Sequence, residues 1–307
     1  MNRTHQELLH AALAGDKTAE ASHVSVAPGT AKDIGMVETP VSASAGTTAT
    51  SGVANPASAG TAANTLQGVP MAWKPSAEDL PSLQPRTSAS EQFRRLRSRL
   101  LEYRSQQPLQ TILLSSALPQ EGKSFVAANL AVSLNQHRGT RVLLIDGDMR
   151  RYSLQRYLGS THKPGLADYM GGTAELEDIM QRADGETLAR FPGLAHLSLI
   201  PGGGMIEHVA DLSEDSRFGK LIEQVKPMFD WIVVDSSPVT LVSDATNLAR
   251  HCDGVLLVVR AGVTEYKQAQ KAQEELQASN LIGVVLNAVE DRPAPSYYGY
   301  GPAGVDA

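Results

Sequence analysis

Six short runs of aliphatic and β-branched residues constrain this 307-residue chain more than anything else in it. They are TILLSS (111–116), RVLLID (141–146), HLSLIP (196–201), WIVVD (231–235), GVLLVVR (254–260) and LIGVVLN (281–287). None alternates cleanly between apolar and polar positions, so each predicts a strand hidden on both faces. Helical patterns fill the gaps at 123–136, 215–226, 244–251 and 264–279. Strands needing cover on two sides, alternating with helices able to supply it, predict an α/β fold: a mostly parallel sheet with helices on both faces. Ligands of such sheets gather at the carboxyl ends of the strands.

The chain before residue 90 has a different character. Of the 50 residues from Ala21 to Pro70, 34 are Ala, Ser, Thr, Gly or Pro and three are charged. Such a stretch holds too little apolar surface to offset its ordering entropy. The expected organisation is therefore a disordered segment over 1–89, opening with one short amphipathic helix in MNRTHQELLHAALAG. A single folded domain follows over 90–290, then a flexible tail over 291–307. Five Lys/Arg face seven Asp/Glu before residue 90, and 22 face 26 after it. No positive field of the kind a nucleic-acid binder needs is present. One cysteine, Cys252, excludes an intramolecular disulfide framework and fits a reducing compartment. No apolar run approaches the roughly 18 residues of a membrane span, and the N-terminus lacks a secretory leader. These features predict a cytoplasmic chain.

The first strand runs into S-A-L-P-Q-E-G-K-S (116–124) and then an apolar helix. This is the phosphate-binding loop G-x-x-x-x-G-K-[ST] with Ala117 in place of the first glycine. Such a loop wraps backbone N–H groups around phosphates, and the helix N-terminus adds a positive dipole end. The candidate nucleotide contacts are Ala117, Pro119, Gln120, Glu121, Gly122, Lys123, Ser124 and Phe125. Lys123 would reach the β- and γ-phosphates and the Ser124 hydroxyl would ligate Mg²⁺. VLLIDGDMRR ends a strand with Asp146 and Asp148, two residues apart and so on one side of an extended chain. WIVVDSSP ends another with Asp235, in the Walker-B pattern of a carboxylate that binds metal directly or through water. Three strand-end carboxylates beside a GKS loop imply a nucleoside triphosphate with Mg²⁺.

The set A-x-x-P-x-E-G-K-S, I-D-x-D-x-R-R and V-V-D-x-x-P resembles the bacterial tyrosine kinases of capsule and exopolysaccharide synthesis, relatives of the MinD/ParA-type ATPases. The similarity runs from about Ser90 to Tyr300. It implies a P-loop fold of the MinD/ParA type, with ATP and Mg²⁺ as cofactors. It further implies catalytic roles for Lys123, Asp146 and Asp148, and metal contacts from Ser124, Asp146 and Asp235. Asp146 or Asp148 is placed to accept the proton of an acceptor hydroxyl, the other serving as metal ligand. By analogy Asn287 contacts adenine.

The same resemblance covers E-x-x-R-x-x-R, matched by Glu91, Arg94 and Arg97 and used in the family for ring assembly. A helical projection puts Phe93, Leu96, Leu100 and Tyr103 on one stripe and the three charged residues on a neighbouring arc. It also covers the tail S-Y-Y-G-Y-G, where Tyr297, Tyr298 and Tyr300 would be phosphoacceptors presented to the next subunit. The implied partners are further copies of this chain in a ring, a separate transmembrane polysaccharide co-polymerase and cytoplasmic protein substrates. Peripheral association with the inner (plasma) membrane through that partner follows.

Three departures stand out. Gln120 replaces a glycine common in the family, and glutamine disfavours a positive φ, which predicts an altered loop. Phe125 replaces a small hydroxyl residue. PGGGMIEHVADL (201–212) stands where N-P-x-E-L-L is often found. A second reading is a MinD/ParA-like ATPase acting as a nucleotide-switched scaffold without tyrosine transfer. Ala117-Leu118-Pro119 lacks the extra lysine such ATPases often carry.

Overall fold

The computed structural model describes residues 34–37, 68–84, 86–137, 139–204 and 217–289. The helix expected at the N-terminus and the tail tyrosines lie outside the described residues. The six apolar runs form β3 (Thr111–Ser116), β4 (Val142–Asp146), β6 (Leu197–Ile200), β7 (Trp231–Asp235), β8 (Gly254–Arg260) and β9 (Leu281–Asn287). They lie in the order β9-β8-β3-β7-β4-β6, and every neighbouring pair among them is parallel. β3, β4, β6 and β7 are buried at every position.

Alternate residues serve opposite layers, as the pleat requires. Ile112 and Leu114 of β3 join one core with Val233 and Leu256. Leu113 joins the other with Ile232, Val234 and Val255. The first core is covered by α1 (Ser88–Gln106) and α2 (Lys123–Asn135). The helices later called α7 (Arg217–Val225), α8 (Asp244–Ala249) and α9 (Tyr266–Glu275) cover the second. All 13 residues of α2 are buried. On α1, Phe93, Leu96 and Leu100 turn inward as the projection predicts, and Thr87 caps the first turn by accepting from the N–H of Ser90 at 3.0 Å.

Between β4 and β6 the chain makes α3 (Leu154–Leu158), α4 (Leu166–Met170), α5 (Leu176–Ile179), the strand β5 (Gln181–Ala183) and α6 (Gly185–Arg190). β5 runs antiparallel to β6.

The fold starts earlier than residue 90. A strand β2 (Val69–Met71) pairs with β5 at one edge of the sheet, and Trp73 and Leu80 are buried in the first core. The backbone from 79 to 82 is laced to α2. Asn129 Nδ2 donates to the Asp79 carbonyl at 3.1 Å, Ser82 N–H donates to Asn129 Oδ1 at 3.1 Å, and Gln136 Nε2 donates to the Ser82 carbonyl at 2.8 Å. A further strand β1 (Ile34–Val37) pairs antiparallel with β9 at the opposite edge. A few anchors suffice to order a segment whose average composition is poor in apolar residues. Replacing Leu80 with alanine should cost about 2–5 kcal/mol of stability. Denaturant unfolding measures it, and a loss under 1 kcal/mol would return residues 68–84 to the periphery.

Candidate active site

The carboxyl ends of β3, β4 and β7 converge on a cleft of about 460 Å³. Pro119, Gln120, Gly122, Lys123 and Ser124 line it, so the loop expected to hold phosphate forms one wall. Gly122 takes φ 91° as the residue before α2, and Gln120 itself adopts φ 65°. The glutamine thus enters the left-handed region that it disfavours, at a cost of about 1–2 kcal/mol. Gln120→Gly should therefore raise the melting temperature by the equivalent of about 1 kcal/mol while leaving nucleotide affinity intact. A lower melting temperature for the glycine variant would contradict this.

Three other loop-stretch candidates, together with Asn287 at the end of β9, play structural parts. The Ala117 side chain is buried, and its carbonyl accepts from the Thr240 hydroxyl. Glu121 Oε2 accepts from the Leu118 N–H at 2.7 Å, and Oε1 accepts from the Thr264 hydroxyl. Burial pushes the Glu121 carboxyl up despite these donors. Asn287 Nδ2 donates to the Glu121 carbonyl at 2.8 Å, tying β9 to the loop, and its Oδ1 has no hydrogen-bond partner among the described residues. Phe125 turns away from the cleft into the core, its ring 5.9 Å from Phe93 and 6.3 Å from Tyr157.

The acidic side of the cleft is built by strand register. Asp146 and Asp235 are opposite one another on the adjacent parallel strands β4 and β7, about 4.8 Å apart by strand spacing. Both are fully buried. Asp146 Oδ2 accepts from the N–H groups of Ser153 and Leu154, each at 3.2 Å. Its Oδ1, and both oxygens of Asp235, lack hydrogen-bond partners among the described residues. Burial and then the neighbouring Asp235 push Asp146 up to about 8. Burial raises Asp235 too, against the pull of Lys123.

Lys123 answers this charge. Its Nζ lies 2.8 Å from Asp148 Oδ2 and 3.5 Å from Asp235 Oδ1. Burial alone would weaken the ammonium's hold on its proton, but Asp235 and Asp148 outweigh it. Asp148 lies past the end of β4 and, unlike Asp146, lines the cleft. Its Oδ1 accepts from the Ser237 hydroxyl at 3.0 Å and the Arg151 N–H at 3.2 Å.

Some of the site was not singled out by sequence reasoning. Ser237 is one such residue. Gly147, between the two aspartates, donates to the Asp235 carbonyl at 2.8 Å, and a Cβ there would stand 2.6 Å from that oxygen. A glycine flanked by aspartates at a strand end was the available signal. Arg150, Arg151, Arg156 and Arg260 also line the cleft; the first two sit in the quoted D-M-R-R run.

The donor set suits a hard cation. Two adjacent buried carboxylates carry unsatisfied oxygens, the Ser124 side chain lies beside Asp235, and all are oxygen ligands. No cluster of three or more His, Cys, Asp or Glu forms a self-sufficient metal cage among the described residues. Mg²⁺ is commonly held by one or two carboxylates together with substrate phosphates, which two carboxylates and a hydroxyl can match.

On α1 the expected charged arc is split. Glu91 and Arg94 form an ion pair with each other at the surface. Arg97 instead turns inward and donates to the Ser133 carbonyl at 2.7 Å. That carbonyl lies in the last turn of α2, where helical acceptors lack internal donors. Among the described residues no helix is long and apolar enough to cross a membrane.

Comparison with known proteins agrees with this geometry. The family described as CobQ/CobB/MinD/ParA nucleotide binding domain matches residues 120–297. The tyrosine-protein kinase CpsD of Streptococcus agalactiae is 33% identical over 196 residues, spanning 63% of this chain and 81% of that protein. The tyrosine-protein kinase YwqD of Bacillus subtilis is 30% identical over 219 residues, spanning 71% of this chain and 88% of that protein. The kinase domain of the Escherichia coli tyrosine kinase ETK superposes with a TM-score of 0.64 at 28% identity, covering 72% of this chain and 84% of that domain.

Proposed function

Because the chain belongs to the bacterial tyrosine-protein kinases built on the CobQ/CobB/MinD/ParA nucleotide-binding domain, we propose that it transfers the γ-phosphoryl group of ATP to Tyr297, Tyr298 and Tyr300 of an adjoining copy. The observation that carries this reading is the Lys123 ammonium, held in the cleft between Asp148 and Asp235. An amine so placed can exchange carboxylate oxygens for the β- and γ-phosphate oxygens of a bound nucleotide. Mg²⁺ bound by Ser124, Asp146 and Asp235 would supply charge neutralisation on the phosphates.

The chain's own residues do the rest. First-turn amides of α2, from Lys123 to Phe125, point positive partial charges at the phosphates. Asn287, with Oδ1 unpartnered, is assigned to the adenine side. Asp148 faces the cleft and takes the phenolic proton, since a phenol with pKa near 10 keeps it at neutral pH. The phenol oxygen bonds to the γ-phosphorus as the bond to the β-phosphate oxygen breaks, and ADP leaves.

The tail has the reach for transfer between subunits: 17 residues from Asp291 extend at most roughly 55–60 Å. The Glu91–Arg94 pair on α1 is the surface for ring assembly, with Arg97 supporting it from beneath. The domain is residues 90–290 together with the anchoring segment before it, flanked by an N-terminal spacer and the acceptor tail. The physiological setting is capsule or exopolysaccharide synthesis at the cytoplasmic face of the inner membrane. A separate transmembrane co-polymerase would be the activating partner, and other cytoplasmic proteins further substrates. The relatives named above are kinases, so the scaffold-only reading finds no support.

Incubation with labelled ATP, Mg²⁺ and the membrane partner tests the acceptors. Changing Tyr297, Tyr298 and Tyr300 to phenylalanine should remove the label and leave nucleotide binding intact. Label persisting on the triple variant defeats the tail assignment.

A further inference from the structure

Four arginines line the cleft around Lys123, but they are not equivalent. Arg150 Nε is paired with the buried Asp244 at 2.8 Å. Arg156 lies 6.0 Å from the Tyr157 ring, and Arg151, Arg156 and Arg260 have no carboxylate partner among the described residues. Asp148 is the one carboxylate among the lining residues, and Lys123 already engages it. The whole chain carries a formal charge of −6. Three guanidinium groups with no carboxylate partner among the described residues, on one cleft of an acidic protein, form a local excess of positive charge. A magnesium-loaded triphosphate leaves about two negative charges to balance, and Lys123 with the loop amides addresses them. The cleft therefore has cationic capacity for a second anion.

We infer that Arg151, Arg156 and Arg260 form an acceptor-side site that holds a phosphotyrosine already present on the incoming tail while a neighbouring tyrosine is phosphorylated. This rests on the reading of the tail as acceptor. Tyr298 and Tyr300 are two residues apart, so in an extended chain their side chains would share one face about 7 Å apart. Each phosphotyrosine brings about −1.5 to −2 charges and three acceptor oxygens, which guanidinium forks bind bidentately. Before any phosphate is added, the tail offers only Glu290, Asp291 and Asp306 against Arg292. The first transfer therefore creates a better substrate for the second, and the cluster fills in order rather than at random.

The test uses the full chain loaded with Mg-ADP and two synthetic peptides of residues 291–303, one unmodified and one phosphorylated at Tyr300. The phosphopeptide should bind at least about tenfold more tightly by calorimetry. The double variant Arg151→Gln, Arg260→Gln should erase that preference and change Mg-ADP affinity less than about twofold. In a mass-spectrometric time course, wild-type tails should reach two and three phosphates while unmodified chains remain, and the variant should show the distribution of independent events. Equal binding of the two peptides overturns the inference. So does a parallel loss of Mg-ADP affinity in the variant, which would assign the arginines to the nucleotide. A phosphopeptide preference in a chain whose own tail is never phosphorylated would keep the anion site and sink the acceptor reading instead.

Discussion

Lys123→Met should abolish tyrosine phosphorylation, lowering its rate by about 10²–10⁴-fold. The amine is the cation shared by Asp148 and Asp235. Methionine fills similar space but cannot meet phosphate charge, so the loss falls on transfer rather than on folding geometry. The substitution carries a second, thermodynamic signature. Breaking a buried ion pair from one side leaves uncompensated carboxylates, at about 3–5 kcal/mol. Those carboxylates relieve the strain by taking up protons, so the nucleotide-free variant should melt further below wild type at pH 8 than at pH 6. Thermal melts at both values and a labelled-ATP assay check the two halves. A variant retaining more than a tenth of wild-type transfer would remove Lys123 from the phosphate site.

Asp146→Asn should separate stability from function. The Asp146 carboxyl is raised to about 8 in the fold, first by burial and then by Asp235, whereas an exposed aspartate titrates near 4. A raised carboxyl stabilises the protein fully below about pH 4 and loses that contribution as pH rises through about 8. Nucleotide-free wild type should therefore lose stability between pH 6 and pH 8, and Mg²⁺ with nucleotide should flatten the slope. The asparagine variant should show a flatter slope without ligand and melt at or above wild type at pH 8. It should also lose about 10²–10³-fold in Mg²⁺-dependent transfer, since one charged ligand is gone. A variant that keeps the wild-type pH slope would show that Asp146 is not the buried group that titrates.

Much of this was legible from residue order because the physics was local. Four of the parallel strands begin and end on the same residues as their apolar runs, since a strand covered on both faces shows as one continuous run. Lys123, Ser124, Asp148 and Asp235 converge because a loop and strand ends of one parallel sheet must meet at one rim. What escaped depended on contacts between distant parts of the chain. Trp73 and Leu80 are two anchors in a segment whose average composition argues for disorder. The helices α3 to α6 span four to six residues each, too short for a 3.6-residue period to register. Arg97 was placed on the outer arc by projection, yet the unpaired Ser133 carbonyl of another helix draws it inward. Phe125 sits in a nucleotide motif by position and in an aromatic core by direction. The cleft arginines come from two stretches more than 100 residues apart, 150–156 and 260, and no window over the sequence joins them.

The helix that follows the phosphate loop is enclosed by the sheet on one side and by α1 and the 79–82 strap on the others. A rod gripped all round cannot tilt or slide without opening a void in close-packed surroundings. The turns after β4 and β7 are the exposed walls of the cleft, carrying Arg151 and Leu241 at the surface, so a change on ligand binding would meet less packing resistance there than in the helix.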